Sequence, residues 1–296
     1  MWVKNGTPYY LQFMPPWLVE NEATAELIVA MMDHAGVDVS VLQNDQLYGD
    51  LNDYIADAVR TFPDRFIGLI QVDETIADHD EQIERLHKGK QSGLRGIFYA
   101  PFAFFRTGFR ELFDAPRYAR FWAEVESLRL PTYWDLVPLP GNTKQDYLDQ
   151  LRRFSGWSEK YPKIPCLIVQ AMRSPMFVEE GRLKVPPLLA DLAQERGVLL
   201  EMTLPISYGR YYEYPYAEIS NIVGGLYDAI GPARLVWGSD IPNVERHCTY
   251  KQSYAYLGRG REFLGEKDLD AIRGENLKYF LGGSDGTTQS KPGKAR

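Results

Sequence analysis

Short β-branched or wholly apolar runs alternate along this chain with longer stretches in which apolar residues recur every three or four positions. The first pattern predicts strands and the second amphipathic helices. The first helix is expected from Asn21, an N-cap candidate, to Gly36, a C′ candidate, with Leu27, Ile28, Met31 and Met32 at helical spacing. A strand over 37–42 follows and runs out at Gln43-Asn44-Asp45. The unit then repeats. A helix over 51–62 closes on Pro63-Asp64 and leads to a strand over 66–72 that ends at Asp73. Thr75 with Asp78 would cap a helix to Lys88, before a strand over 94–98 that ends near Tyr99. After a loop rich in Phe and Arg, a helix to Ser127 precedes a strand over 130–134 with Asp135 at its end. Helix 144–160 precedes strand 164–169, which ends at Gln170, and helix 185–196 precedes strand 198–202. Helix 216–230 precedes strand 235–237, which Gly238 stops, so that Ser239 and Asp240 sit at its C-terminal edge. A last amphipathic helix carries Leu269, Ile272, Leu277, Phe280 and Leu281.

Strict βα alternation means a parallel sheet. No Gly-x-Gly-x-x-Gly and no P-loop pattern follows any strand, so dinucleotide and P-loop folds lose their support. The expected architecture is an α/β fold, a distorted (β/α)8 TIM barrel over residues 21–282 with its first strand unaccounted for. Residues 1–20 read as an extended segment, half a hairpin and not a central strand, and 283–296 as a disordered polar tail.

Hydrophobic content of 45% with 25% charged residues is that of a soluble globular protein. A formal net charge of -7 and the lack of a basic stripe argue against nucleic acid as partner. No apolar run approaches the ~20 residues that span a bilayer, and the N-terminus has no signal-peptide core, so a cytoplasmic location is the default expectation. Cys166 and Cys248 make neither a disulfide framework nor a zinc cluster. What remains is a small-molecule substrate, with homo-oligomerisation left open.

Five segments, in order, carry a family resemblance. They are Met32-Asp-His-Ala-Gly-Val-Asp38, Tyr48-Gly-Asp-Leu-Asn-Asp53 followed by Pro63-Asp-Arg65, Trp237-Gly-Ser-Asp-Ile-Pro242, and Gly274-Glu-Asn-Leu277. Together they resemble the amidohydrolase-related family (amidohydrolase 2), which includes aromatic-acid decarboxylases of the aminocarboxymuconate-semialdehyde type. The resemblance covers roughly residues 21–282. It implies a distorted TIM barrel with one divalent metal, zinc or manganese, at the C-terminal mouth. The departures are as informative as the match. The family's first strand carries His-x-His, and this sequence contains none. Where the family has a histidine after the fifth and sixth strands, this chain has Asp135 and Gln170. Of the implied metal ligands only Asp240 is kept. His34, His79 and His87 fall on helices, which leaves His247 as the one histidine near the mouth. Either a strand with the missing histidines precedes this sequence, or this branch works without the metal. The first alternative does not account for Asp135 and Gln170, which lie well inside the chain. As the sequence stands, tight zinc binding is not expected.

Parallel strands bring their C-terminal ends to one face, which gathers Asn44, Asp73, Tyr99, Asp135, Gln170, Glu201 and Asp240. Asp240 is the candidate acid–base group, with Asp135 as a second carboxylate that pushes the two pKa values apart. Arg173 and Arg246 are candidate clamps for a substrate carboxylate, joined in substrate binding by Gln170 and His247. Tyr99 and Trp134 are candidate stacking surfaces for an aromatic ring. Each has a plainer reading: a turn cap for Asp240, surface ion pairs for the arginines, core packing for the rings. Whether Glu201 faces in or out depends on a register the sequence leaves open. The function expected is that of a hydrolase acting on a C–N or C–O bond of a small carboxylated or aromatic compound. The alternatives are a decarboxylase of the same family, a carbon–carbon lyase, and a metal-free or inactive binding protein on the same barrel.

Overall fold

The computed structural model describes residues 2–4, 7–9, 23–44, 48–108 and 111–282. The expected polar tail, and Asn21 as a cap, lie outside these residues. In chain order the elements are β1 (Trp2–Lys4), β2 (Thr7–Tyr9), α1 (Ala25–Ala35), β3 (Ser40–Leu42), α2 (Asn52–Thr61), β4 (Phe66–Gly68), β5 (Ile70–Gln71), α3 (Asp80–Gln91) and β6 (Ile97–Tyr99). Then come α4 (Phe102–Thr107), α5 (Ala119–Ser127), β7 (Thr132–Trp134), α6 (Lys144–Lys160), β8 (Cys166–Ile168), β9 (Val178–Glu179), β10 (Arg182–Leu183), α7 (Pro187–Arg196) and β11 (Leu199–Met202). The last are α8 (Leu204–Tyr208), α9 (Ser220–Ile230), β12 (Leu235–Trp237), α10 (Tyr250–Ala255), α11 (Glu266–Asp270) and α12 (Asn276–Gly282). β1 and β2 pair antiparallel.

A six-stranded parallel sheet runs β12-β11-β8-β7-β6-β5, and β3 pairs parallel with β4. Leu69 joins the two. Its N–H bonds to the Leu42 carbonyl at 2.9 Å, while the next residue, Ile70, bonds to Gly96 at 2.7 Å. β4 and β5 are therefore one strand interrupted at a single residue, and the sheet is continuous from β3 to β12. No strand pairs with the outer edges of β3 and β12 among the described residues. The space there is taken by an apolar cluster of α1 and α10, in which Ile28, Met32 and Tyr250 pack with Leu42 of β3 and Trp237 of β12. Among the described residues this is a distorted (β/α)8 barrel short of one strand. The first helix starts at Thr24, whose hydroxyl accepts from the Leu27 N–H, and ends on left-handed Gly36. The third helix starts after His79, and Asp73, not Thr75, is the local cap, accepting from the Thr75 N–H.

The two faces of the strands bury different things. Tyr133, Leu167, Leu199, Phe98 and Val236 form an inner cluster closed by Leu277, Phe280 and Leu281 of the C-terminal helix. Asn276 ties that helix to the start of β12, donating to the carbonyls of Pro232 and Leu235. The outer faces of the strands pack on the helices, and here the aromatic side chains concentrate. Trp134 lies 4.6 Å centroid to centroid from Trp157, 4.9 Å from both Tyr99 and Phe113, and 5.2 Å from Phe154. Its indole N–H donates to the Thr132 hydroxyl. Tyr99 and Trp134 are each 0% exposed. They belong to the sheet–helix layer and do not line the barrel mouth, so the stacking role expected of them is corrected to core packing. The reason is periodicity: successive strand residues face opposite sides, and both of these stand on the outward parity. Trp134→Ala should therefore act as a core truncation, lowering the unfolding free energy by about 3–5 kcal/mol in a urea titration. A loss within a few tenths of a kcal/mol would place the indole elsewhere.

Candidate active site

Inward parity at the C-terminal ends delivers polar residues. Asp135 follows Tyr133 by two positions, and Glu201 follows Leu199 by two and stands opposite Val236. Both carboxylates therefore face the barrel axis, which settles the side that the sequence left open for Glu201. Its room is made by Gly238. A Cβ on that glycine would come 1.8 Å from Glu201 Oε1 and 2.3 Å from its Cδ, so Glu201 lies across the β12 backbone in a space that only glycine leaves open. The room that Gly238 leaves, and the Tyr133 hydroxyl, whose deprotonation burial and then the Glu201 charge oppose, are features the sequence does not single out. The signal available was the step of two from apolar inner positions.

Asp240 sits two residues past Gly238 with φ +55, a left-handed conformation that aspartate tolerates better than most. Its Oδ2 accepts from Asn243 Nδ2 at 2.8 Å, and its carbonyl from the Val244 N–H at 3.0 Å, closing the turn after β12. Loss of solvation raises its pKa to about 6. The Asp135 charge adds to that rise, while the Asn243 hydrogen bond and the charges of Arg173 and Arg246 oppose it. Glu201 is pushed up to about 8, first by desolvation and then by the charges of Asp240 and Asp135, against a hydrogen bond from the Gln170 backbone. Two carboxyl groups that share a mouth thus hold protons at different pH.

The segment after β8, Gln170–Phe177, is a tight 3-10 turn. Gln170, Met172 and Arg173 all have positive φ, at +61, +51 and +54, a conformation that costs about 1–2 kcal/mol per residue outside glycine. It turns Gln170 and Arg173 toward one another. Arg173 Nη2 donates to Asp135 Oδ1 at 2.8 Å and Nη1 to Gln170 Oε1. The pair is part-buried, with side-chain exposures of 27% for Arg173 and 11% for Asp135, so it is shielded better than a surface ion pair. At the ends of β3 and β5, Asn44 Nδ2 donates to Gln71 Oε1 at 2.7 Å, and Asn52 bridges both backbone groups of Gln71.

Other sequence candidates fall at the rim. Arg246 is exposed, with its Nε bonded to the Asn243 carbonyl, yet its charge is felt by Asp240. His247 packs on Gly209, where a Cβ would meet it at 2.4 Å. Burial, then the charges of Arg246 and Arg210, lower its pKa, so the ring is neutral near pH 7. Cys248 is buried, and loss of solvation raises its thiol, which does not suit a nucleophile.

The donor set does not fit a divalent metal. Among the described residues no cluster of three His, Cys, Asp or Glu side chains is arranged to hold one. The chain has no His-x-His, and an Asp135 oxygen is engaged by a guanidinium.

A family model described as Amidohydrolase matches residues 2–280. None of the curated proteins matches the chain. Among solved structures, the chain is similar to a probable 2-pyrone-4,6-dicarboxylic acid hydrolase from Acinetobacter baumannii with citric acid bound. The TM-score is 0.66 at 17% identity, over 88% of this chain and 90% of that one. A 5-carboxyvanillate decarboxylase from Novosphingobium aromaticivorans, complexed with manganese, gives a TM-score of 0.64 at 15% identity, over 90% and 82%. A dihydroxybenzoic acid decarboxylase from Polaromonas with bound manganese gives 0.62 at 15% identity, over 93% and 92%. At these identities the likeness concerns the fold.

A group whose folded pKa is raised lends stability that is complete below its unfolded pKa and is lost as pH rises through the folded one. For Glu201 that loss falls between the ordinary 4.5 and about 8. Glu201→Gln, which cannot ionise, should therefore gain on the wild type in Tm from pH 5 to about 8, with the gap constant above. A gap that does not change with pH would show that Glu201 is not held protonated.

Proposed function

The chain belongs to the amidohydrolase family, and from that premise we propose that it hydrolyses a C–O bond in a small ring compound that carries a carboxylate, a lactone or ester. The observation that carries this reading is the grouping of Asp240 and Glu201, each holding a proton above its ordinary range, with the Arg173 guanidinium at the same mouth. A guanidinium has five N–H donors, and two are used by Asp135 and Gln170. The remainder would pair with a substrate carboxylate and fix the ring against the strand ends. Asp240, ionised above about pH 6, takes a proton from a water as its oxygen attacks the acyl carbon. Glu201, protonated below about pH 8, gives its proton to the departing alkoxide oxygen as the C–O bond breaks. One water is consumed, a carboxylic acid and an alcohol result, and a proton passed from Asp240 to Glu201 resets the pair. Between those two pH values base and acid are both in the required form.

Decarboxylation is the second reading. It is favoured by the protonated Glu201, which could supply a proton to a ring carbon as the bond to CO₂ breaks, and by structural neighbours named as decarboxylases. Of the remaining alternative, the metal-free half is favoured by the donor set described above, and an inactive binding protein has no observation of its own in its favour.

Assay against carboxylated lactones and hydroxybenzoates separates the readings, since one yields an added acid group and the other CO₂. Asp240→Asn should lower turnover by roughly 10²–10⁴-fold, the range for a positioned acid–base group. An unchanged rate would remove Asp240 from the chemistry. Absence of turnover on both compound classes would favour the binding protein.

A further inference from the structure

The two positions at which the family resemblance expects metal histidines, the ends of the fifth and sixth strands, are here Asp135 and Gln170. A single side chain joins them. Arg173 donates one guanidinium nitrogen to Asp135 at 2.8 Å and another to Gln170. We propose that Arg173 is the resident cation of this mouth: its guanidinium stands in the place of a divalent ion and does that ion's charge work on an anionic substrate. This rests on the reading of the mouth as a carboxylate-binding site.

Charge and geometry both carry the idea. Asp135, Glu201 and Asp240 act on one another electrostatically, so the mouth needs positive charge at its centre, and Arg246 sits exposed at the rim. Arg173 supplies that charge permanently, because a guanidinium does not deprotonate in proteins. A divalent ion approaching Asp135 would meet a like charge already hydrogen-bonded to it. The position is also built. Three positive-φ residues among four, Gln170, Met172 and Arg173, are a costly way to make a loop unless the turn must bring the amide and the guanidinium together. Asp135 acts through Arg173 in this arrangement and is a positioning residue. Neither it nor Gln170 is a donor that a zinc or manganese ion would select in place of imidazole.

The test uses the full chain with Mn²⁺ alone and citrate alone as probes. Electron paramagnetic resonance of Mn²⁺ should show no saturable binding to the wild type, and calorimetry should show citrate binding equally in EDTA and in Mn²⁺. Arg173→Met should lose roughly 10- to 100-fold in citrate affinity, the worth of a charge-assisted hydrogen bond, and Arg173→Lys should recover part of it. A thermal melt checks that both variants fold. Asp135→Asn offers an independent reading. With its counter-ion neutralised but Gln170 still in place, Arg173 should bind citrate several-fold more tightly, whereas loss of a metal ligand would weaken it. Stoichiometric Mn²⁺ binding, citrate binding that requires Mn²⁺, or weaker binding by Asp135→Asn overturns the proposal and leaves the hydrolase reading standing. Absence of citrate binding under either condition sinks both.

Discussion

Neighbouring strand residues face opposite sides of a sheet, and this period of two governs both layers of the molecule. On the outer parity stand Tyr99, Trp134, Ile168 and Leu200, which bury against helices in one continuous aromatic and aliphatic layer. On the inner parity stand Tyr133, Leu167 and Leu199, and two residues further along, Asp135, Val169 and Glu201. The barrel is thus apolar at its closed end, where α12 seals it, and acidic at its open end. A shift of one residue in β7 would bury the Asp135 carboxylate among tryptophans, at a cost of several kcal/mol. Register and site are one constraint.

The acidic end raises a charge problem that the local structure answers in two ways. Protons are retained: Glu201 and Asp240 titrate at about 8 and about 6. A cation is also placed among them, Arg173, on a turn whose backbone is bent into the left-handed region to reach Asp135. Either response alone would leave carboxylates crowded without compensation in a poorly solvated place. Together they give a mouth with one proton-holding acid, one carboxylate near its titration point and one fixed positive group, the parts that acid–base work on an anionic substrate requires.

Much of the fold was legible because strands and helices repeat in strict alternation, and each run of β-branched or apolar residues lies where a strand forms. Helix starts were less so. Thr75 looked like a cap by spacing, but Asp73 takes that part in a separate turn and the helix begins only after His79. For Tyr99 and Trp134 the plainer of the two readings, core packing, holds, because a position near a strand end says nothing of the side it faces. Asp135, the next residue after Trp134, faces the other way. The Asp135–Arg173 pair joins residues 38 apart in sequence, and its formation depends on three left-handed residues in a segment without glycine. No propensity announces such a turn. Gly238 is legible in principle, since a glycine two residues ahead of the candidate aspartate and beside a strand bearing glutamate invites the question of what its missing side chain leaves room for.

The strain after β8 and the acid pair, Glu201 on β11 and Asp240 after β12, are linked through Gln170. Its side chain accepts from Arg173, while its backbone supports the ionised form of Glu201. The residue that fixes the cation therefore also touches the group with the highest carboxyl pKa in the mouth. The dense aromatic layer beneath β6 and β7 supplies the rigidity that lets a turn of this cost persist, because strain of a few kcal/mol survives only where surrounding packing over-determines the conformation.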